Sequence, residues 1–277
     1  MNLRKALAVA LVALLCAAAL DAYQRAFREY PGTEYEDFSL PPDYQAGADF
    51  VFARLMYPEG RGRAGFGFRR SANWEEGRTQ WTNDYPRADR HLLVAIRRLT
   101  RVAARSVEQP VNLNDGDDVF NWPFLYAARA GFMQLSDAQT AKLREFIDRG
   151  GFFIADDMWG DSEYQGIVES MARLYPGRDI RELENKDPAF HTVYDLDQRY
   201  QISGQWSLRS GVPYLNGGVV PHWKGVYDDK DRMVAAVWVN NDTGDSWEWA
   251  DDPSYPERYS ALGIRLTVNH LIYAMTH

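Results

Sequence analysis

Short apolar runs alternate with longer amphipathic segments along most of this chain. Four of the runs have the length and the β-favouring residues of buried strands. Two more strands are expected on either side of a polar turn at Asp228–Asp231. The four runs cover residues 49–57, 111–113, 124–127 and 152–155.

Between these runs, apolar residues recur at the three-to-four spacing of helices that bury one face. This spacing predicts a helix over 84–105. A capping box at Ser136–Gln139 predicts the start of a second helix, which continues to Arg149. Two further helices are expected over 162–174 and 260–275.

Alternating strands and helices, followed by a hairpin and a closing helix, indicate one α/β domain around a largely parallel sheet. We expect this domain to cover residues 48–277. Residues 23–47 carry mixed charges and two adjacent prolines without periodicity, which is typical of a linker or a loosely packed N-terminal arm.

Residues 1–22 have the pattern of an export signal. Arg4 and Lys5 precede an apolar run from Ala6 to Leu20, and a charged start before a short apolar core is typical of secretion. The run is shorter than the roughly 20 residues that span a bilayer. We therefore expect a cleaved signal and a periplasmic protein, with a membrane anchor formed by residues 6–20 as the alternative. The same segment allows a transient association with the membrane.

Composition excludes several classes of function. The formal charge of the 277-residue chain is -8, which disfavours nucleic acid as a partner because its backbone requires a basic surface. Apolar residues make up 45%, enough for a substantial core. Cys16 is the only cysteine and lies within the predicted signal. The remainder of the chain therefore offers no thiol nucleophile, disulfide or thiolate metal site.

The apolar run of "GGFFIADDMWGD" (150–161) ends in two adjacent carboxylates, Asp156 and Asp157. Ligands bind beyond the carboxyl ends of strands in open parallel sheets, which makes both residues candidates for catalysis or binding. Successive strand residues point to opposite faces. We therefore expect one aspartate to face the cleft and the other to cap the following helix, rather than a matched acid/base pair.

Asp84 lies at the start of the first predicted helix, and a capping role is favoured there. If Asp84 instead faces the same cleft as Asp157, a divalent cation or a sugar hydroxyl becomes a plausible ligand. His191 and His222 lie in strand-like or loop contexts from which they could reach a cleft. No histidine pair has the spacing of a zinc helix.

An acidic, tryptophan-rich stretch, "NNDTGDSWEWADDPSYP", is expected to form a loop near the end of the chain. Trp247 and Trp249 could form a platform for a sugar, although tryptophans packed on the domain are the alternative. The acidic residues around Asp242 miss the EF-hand spacing, so calcium is disfavoured there. We expect neither a metal nor a cofactor.

Several segments, taken in order, resemble one known family. They are "FARLMYPEGRG", "WTNDYPRADRHL", "FNWPFLYAARAGFMQLSDAQTAKLREFIDRGGFFIADDMWG", "FHTVYDL" and "NNDTGDSWEWADDPSYP…SALGIRLTVNHLIYAMTH". Together they cover nearly everything from Ala48 to His277, and they resemble a bacterial domain-of-unknown-function family, number 4159. The resemblance implies a flavodoxin-like three-layer sandwich of the class I glutamine amidotransferase-like type.

The resemblance also gives the paired aspartates a setting. In catalytic amidotransferases of this fold, an apolar strand ends in a tight elbow that presents the cysteine nucleophile. The segment Asp157-Met158-Trp159 resembles that elbow. Aspartate and methionine cannot replace a thiolate in glutamine hydrolysis, so the resemblance implies no glutaminase activity. It implies no other activity either.

Two hypotheses for function follow. The first is an exported domain that binds a polar ligand or an envelope protein without catalysis. The second is a carboxylate-dependent hydrolase or lyase acting on glycan-like substrates, with Asp156 or Asp157 as the acid/base. An enzyme requires a second carboxylate or histidine within reach of Asp157. The candidate ligand-binding residues are Asp84, Trp159, His191, His222, Trp247 and Trp249.

Overall fold

The computed structural model describes residues 25–60 and 73–277. The predicted export signal at residues 1–22 lies outside the described residues. Within them, the chain forms a single sheet of seven strands. The strands are β1 (Ala53–Met56), β2 (Gln109–Asn112), β3 (Phe124–Ala127), β4 (Phe152–Met158), β5 (Arg181–Glu182), β6 (His222–Tyr227) and β7 (Met233–Val239).

The sheet is mostly parallel, as the sequence predicts. Its strand order is β2-β1-β3-β4-β7-β6-β5, and the first five strands in that order run parallel. Strand β6 is antiparallel to β7 and to the short edge strand β5. Every residue of β1, β3, β4 and β7 is buried. Burial on both faces explains why these strands appear in the sequence as continuous apolar runs.

Six α-helices lie between or after the strands in the described part of the chain. They are α1 (Arg87–Leu99), α2 (Asp137–Asp148), α3 (Gly160–Leu174), α4 (Gln205–Ser210), α5 (Thr243–Glu248) and α6 (Glu257–Thr276). Apolar residues of α2 and α3 form one core with one face of the sheet, while α1, α5 and α6 form a second core with the other face. The fold is therefore mixed α/β with helices on both faces of the sheet.

The strand order reverses next to β1, which has β2 on one side and β3 on the other. In open parallel sheets, such a reversal leaves a crevice at the carboxyl ends of the strands. The segments that leave β1, β3, β4 and β7 begin at this edge. Site residues are therefore to be sought immediately after these strands.

The local predictions are largely confirmed. The capping box is present, since Ser136 Oγ accepts from the amide of Gln139 (3.2 Å) and Gln139 Oε1 accepts from the amide of Ser136 (2.9 Å). The predicted hairpin forms between β6 and β7. The strand predicted over 152–155 extends further than expected, to Met158.

One predicted helix is confirmed but shorter than expected, and one predicted loop contains a helix. The helix predicted over 84–105 begins at Arg87 and ends at Leu99. The Thr100 hydroxyl donates to the Ile96 carbonyl (2.7 Å) and accepts from the Val102 amide (3.0 Å), and such side-chain bonds compete with helix continuation. The acidic stretch expected to be a loop contains helix α5.

The N-terminal arm, residues 25–47, contains no helix or strand but packs against the domain. Tyr30 is 9% exposed and meets Trp81 edge-on, with the ring centroids 5.5 Å apart. Its amide donates to Tyr85 Oη (3.2 Å). Around Tyr30, the arm therefore packs more closely on the domain than we expect of a linker or a loosely packed arm. Among the described residues, no helix has both the length and the hydropathy to cross a membrane.

Candidate functional site

The paired aspartates lie at an irregularity in the pairing of β4 with β7. The register between β4 and β7 shifts between Ala155 and Met158, and Asp157 has a left-handed backbone with φ of 52°. A non-glycine residue in this conformation is uncommon and is often found at functional sites. The irregularity directs the two carboxylates to different sets of partners.

Both carboxylate oxygens of Asp156 accept hydrogen bonds from other parts of the fold. It accepts hydrogen bonds from Tyr126 Oη (2.9 Å) and from Thr243 Oγ1 (2.9 Å). It also accepts from the amides of Thr243 (3.1 Å) and Gly244 (3.2 Å) at the start of α5. Burial, together with the charge of Asp157, raises the pKa of Asp156 to about 7. Its geometry is that of an anchor for α5.

We predicted that one aspartate caps the helix following β4, but Asp156 caps a different helix. Asp156 caps α5, which lies much later in the chain but next to β4 in space. The start of α3 is capped otherwise: the amide of Trp159 donates to Glu163 (3.0 Å), and the amide of Gly160 donates to Asn240 Oδ1 (2.8 Å).

Asp157 has fewer partners. Its Oδ1 accepts from Trp159 Nε1 (2.8 Å), and its Oδ2 accepts a longer bond from Asn83 Nδ2 (3.2 Å). Arg129 Nε lies 3.7 Å from Oδ2, which is an ion-pair distance. Burial raises the pKa of Asp157, and the nearby Arg129 opposes this shift.

Three aspartates from separate elements meet at this edge of the sheet. One carboxylate oxygen each of Asp84, Asp157 and Asp242 lies within 4.8 Å of the other two, and all three residues are buried. We call these residues the aspartate cluster. Burial raises the pKa of Asp84 and of Asp242 well above the usual range, and neighbouring carboxylates add to both shifts.

Asp84 reaches the cluster because a buried arginine of β1 fixes the segment before α1. Arg54 makes a two-pronged ion pair with Asp89 (2.8 Å for both bonds). It also donates to the carbonyls of Trp81 and Asn83 (3.0 Å each). Asp84 itself has φ of 61°. Neither of its carboxylate oxygens accepts a hydrogen bond from an amide of α1 in the described structure, so the favoured capping role is wrong.

A second carboxylate group adjoins the cluster and shares Asp84 with it. Glu34, Asp84 and Glu248 also offer oxygens within 4.8 Å of one another. Tyr35 of the N-terminal arm donates a short hydrogen bond to Glu248 Oε1. Burial raises the pKa of Glu248 to about 9. The arm therefore contributes directly to the polar surroundings of Asp84.

Among the described residues, Arg129 is the cation that pairs with Asp157. It follows β3 with φ of 48°, and its guanidinium lies 3.7 Å from Asp157 and 3.5 Å from Glu163. Burial opposes the charged form of Arg129, but the neighbouring carboxylates raise its pKa. Its buried Nε has no hydrogen-bond partner among the described residues. Within the part of the chain that the structure describes, one guanidinium at ion-pair distance does not neutralise all three aspartates.

Of the predicted site residues, Asp84, Asp157 and Trp159 come together. Trp247 is buried in α5, packed against Tyr126 with the ring centroids 5.1 Å apart. Trp249 Nε1 donates to Asp245 (3.1 Å), and the Trp249 ring lies under the guanidinium of Arg87. The two tryptophans of the proposed sugar platform are therefore engaged in packing and in hydrogen bonding within the domain.

The two candidate histidines bond to other parts of the surface. His191 pairs with Asp195 (3.0 Å) and with the carbonyl of Asn185 (2.6 Å). His222 pairs with Glu182 (3.2 Å) across the β5–β6 edge. None of these partners belongs to the aspartate cluster.

Sequence reasoning did not identify Asp242, Arg129 or Glu34 as site residues. Asp242 follows β7 in the run Asn240-Asn241-Asp242, and this polar triplet directly after an apolar strand was a usable signal. Arg129 follows β3 in the same way. Glu34 gave no signal, because only the packing of the arm brings it near Asp84.

The sequence model of a family described as "Domain of unknown function (DUF4159)" matches residues 70–275. The chain belongs to this family. All three members of the aspartate cluster lie within the matched region of the DUF4159 domain, whereas Glu34 and β1 precede it. No curated protein matches the chain.

The candidate site has a defined chemical character. Its donors are carboxylate oxygens, with one guanidinium nearby among the described residues, and the chain contains no cysteine after position 16. Such a site can bind hard cations or hydrogen-bond donors such as hydroxyl and amino groups. The second carboxylate near Asp157 is also the arrangement that an acid/base mechanism requires.

Proposed function

We propose that this DUF4159 domain binds a polar ligand at the carboxyl edge of its sheet, through the aspartate cluster. The observation that carries the proposal is the convergence of three buried carboxylates from separate elements. Such a group is not expected from folding stability alone, because burying unpaired charges costs free energy of folding. Left-handed backbones at Asp84, Asp157 and Arg129 support the same interpretation.

We further propose that the fold is flavodoxin-like and of the glutamine amidotransferase-like type. The support is the order of the five parallel strands, which corresponds to the 2-1-3-4-5 pattern of flavodoxin-like sheets. Asp157, left-handed at a strand-to-helix junction, occupies the position proposed for the elbow. An experimental structure with another strand order, or with Asp157 in extended backbone, would contradict this placement.

The binding proposal is tested by thermal-shift screening followed by calorimetry, using N-acetylglucosamine oligomers and soluble cell-wall fragments as probes. We expect at least one probe to raise the melting temperature of the wild type and to lose affinity at least tenfold in Asp157→Asn. Asp118→Asn is the matched control. Asp118 is also buried, but it bonds to the amide of Arg25 and to Trp122. Equal binding by both variants would refute the role of Asp157.

A carboxylate-dependent hydrolase or lyase is the second candidate. The observation that favours it is the short distance between the carboxylates of Asp84 and Asp157. Under this hypothesis, wild-type protein releases products from cell-wall glycan on prolonged incubation, and Asp84→Asn and Asp157→Asn each abolish the release. Binding without any product release from the wild type would favour the non-catalytic role.

We also propose that the protein is exported and periplasmic, with anchoring by residues 6–20 as the alternative. The support is the charged start and short apolar run of the N-terminus. Cell fractionation combined with N-terminal sequencing tests this. A mature protein that begins near Ala19 or Ala22 supports cleavage, and an intact N-terminus in the membrane fraction supports the anchor. An intact N-terminus in the cytoplasmic fraction would refute export.

A further inference from the structure

We infer that Asp84, Asp157 and Asp242 form a binding site for one hard divalent cation. The inference goes beyond the proposed binding of a polar ligand, since the cation site would exist whether or not that ligand binds. It stands on the geometry of the aspartate cluster and on an oxygen of Asp84 that the fold leaves without a partner.

The spacing of the oxygens suits a single ion. Calcium binds oxygen ligands at roughly 2.3–2.6 Å and magnesium at roughly 2.1 Å, so ligands on opposite sides of one ion are about 4–5 Å apart. The three carboxylates offer oxygens that all lie within 4.8 Å of one another. A single cation can therefore contact all three aspartates with only small side-chain adjustments.

The unsatisfied oxygen of Asp84 is the second, independent observation. Asp84 is 1% exposed. Its Oδ1 accepts from Asn83 Nδ2 (2.6 Å), but its buried Oδ2 accepts no hydrogen bond from any residue that the structure describes. A buried carboxylate oxygen without a donor is costly, because it has lost water and gained nothing in exchange. A cation would supply the missing partner.

This free oxygen points towards the start of α5, where Asp242 lies. A Cβ atom added at Gly244 would collide with Asp84 Oδ2, so the oxygen is pressed against the first turn of that helix. The Asp242 side chain begins the same helix, with Oδ1 accepting from the amide of Asp245 (3.0 Å). Glycine at position 244 thus leaves room for Asp84 beside Asp242.

Charge and donor type together define the class of ion. Three aspartates face one another, and within residues 25–60 and 73–277 the nearest guanidinium is 3.7 Å from Asp157, so a divalent cation would improve the local charge balance. The donors of the cluster are all oxygens. Oxygen donors favour magnesium, calcium or manganese over the softer metals that prefer thiolate or imidazole.

The cation would also join three separate parts of the fold. Asp84 lies in the segment before α1, Asp157 ends β4, and Asp242 begins α5. An ion held by all three would fix the edge of the sheet at which the polar ligand is proposed to bind. Loading with the ion should therefore stabilise the native state by mass action.

The test is isothermal titration of purified, EDTA-treated protein with Ca²⁺, Mg²⁺ and Mn²⁺ in separate experiments. We expect saturable binding of one ion per chain for at least one metal, and an increase in melting temperature with the same metal. Asp84→Asn and Asp242→Asn should each weaken binding at least tenfold, while Asp118→Asn binds like the wild type.

Folding of the variants is checked separately, by denaturation in EDTA. Asp84→Asn removes a charge from a repulsive cluster, so in EDTA it should be at least as stable as the wild type. The inference is overturned if none of the three metals binds, or if Asp84→Asn binds metal as tightly as the wild type. Repeating the cell-wall fragment titrations in EDTA distinguishes the two proposals. If fragments bind in EDTA and none of the three metals binds in the metal titrations, the ligand site is retained and the cation site is refuted.

Discussion

At the scale of single residues, Asp156 and Asp157 show how adjacent carboxylates acquire different roles. Asp156 has four donors around it, two of them amides of α5. Among the described residues, Asp157 has two donors and one guanidinium at ion-pair distance. The first is therefore required by the fold, whereas the second retains capacity for a ligand.

This difference predicts opposite effects of the same substitution. Asp156→Asn places an amide donor against the donors of Thr243 and Gly244, and we expect it to cost about 2–4 kcal/mol of unfolding free energy. Asp157→Asn removes a charge from the aspartate cluster and should change stability by less than about 1 kcal/mol. Denaturant unfolding of both variants measures this. A larger loss for Asp157→Asn would reverse the two assignments.

His270 gives a prediction for pH. Its ring is fully buried in α6 and meets Trp238 edge-on at 5.1 Å. Its Nδ1 bonds the Leu266 carbonyl (2.8 Å), and its buried Nε2 has no partner among the described residues. Burial lowers the pKa of His270 to about 4. Only the neutral ring suits this environment.

Because the folded pKa of His270 lies below its unfolded value of about 6.5, its contribution to stability is complete above pH 6.5. That contribution is lost as pH falls towards 4, and on the order of 3 kcal/mol is at stake. Between pH 6.5 and pH 4, the unfolding free energy of the wild type should fall relative to that of His270→Phe as pH falls. A constant difference between the two proteins would show that His270 does not titrate as described.

At the scale of elements, local signals were sufficient where the stabilising contacts are local. The capping box of α2 uses Ser136 and Gln139, both readable from the sequence. The buried strands could be predicted from the sequence because a continuous apolar run indicates a strand that is buried on both faces. These features required no knowledge of distant residues.

Helix α5 could not be predicted in this way. It spans only Thr243–Glu248, too short for a periodic apolar face to be recognised. Its first amides bond Asp156, which is distant in sequence, and its Trp247 is buried against Tyr126 of β3 and against Phe52, the residue before β1. Tertiary contacts decide this helix, and the position of Asp242 in the cluster depends on them.

The packing of α5 on α6 leads to a third prediction. A Cβ at Gly263 would collide with Ser246 Oγ and lie 2.8 Å from Ser246 Cβ. Gly263→Ala should therefore destabilise by about 1–3 kcal/mol through overpacking, although alanine is intrinsically the better helix former. Adding Ser246→Ala removes the oxygen but not the Cβ contact, so rescue should be partial. A Gly263→Ala variant more stable than the wild type would refute this close packing.

At the scale of the whole molecule, the location of the site followed from topology. A parallel sheet was predicted, and the rule that ligands bind at the carboxyl ends of its strands indicated the region of Asp157. The composition of the site was predicted less well. The N-terminal arm has no periodicity, so neither its packing nor the approach of Glu34 to Asp84 could be derived from the sequence.

The arm provides a fourth prediction. Tyr30 is buried against Trp81 and Tyr85 of the domain, so Tyr30→Ala should lower the unfolding free energy by about 2–4 kcal/mol. Leu40→Ala, at an exposed position of the same arm, is the control and should change it by less than about 0.5 kcal/mol. Equal effects of the two substitutions would show that the arm is only a linker.

The central claim is that the aspartate cluster is a built binding site, and it is tested most directly by crystallography with manganese. Crystals of EDTA-treated protein soaked in Mn²⁺ should show an anomalous-scattering peak between Asp84, Asp157 and Asp242, roughly 2.0–2.4 Å from their oxygens. Manganese found only on exposed carboxylates, with the three aspartates hydrogen-bonded among themselves, would contradict the account.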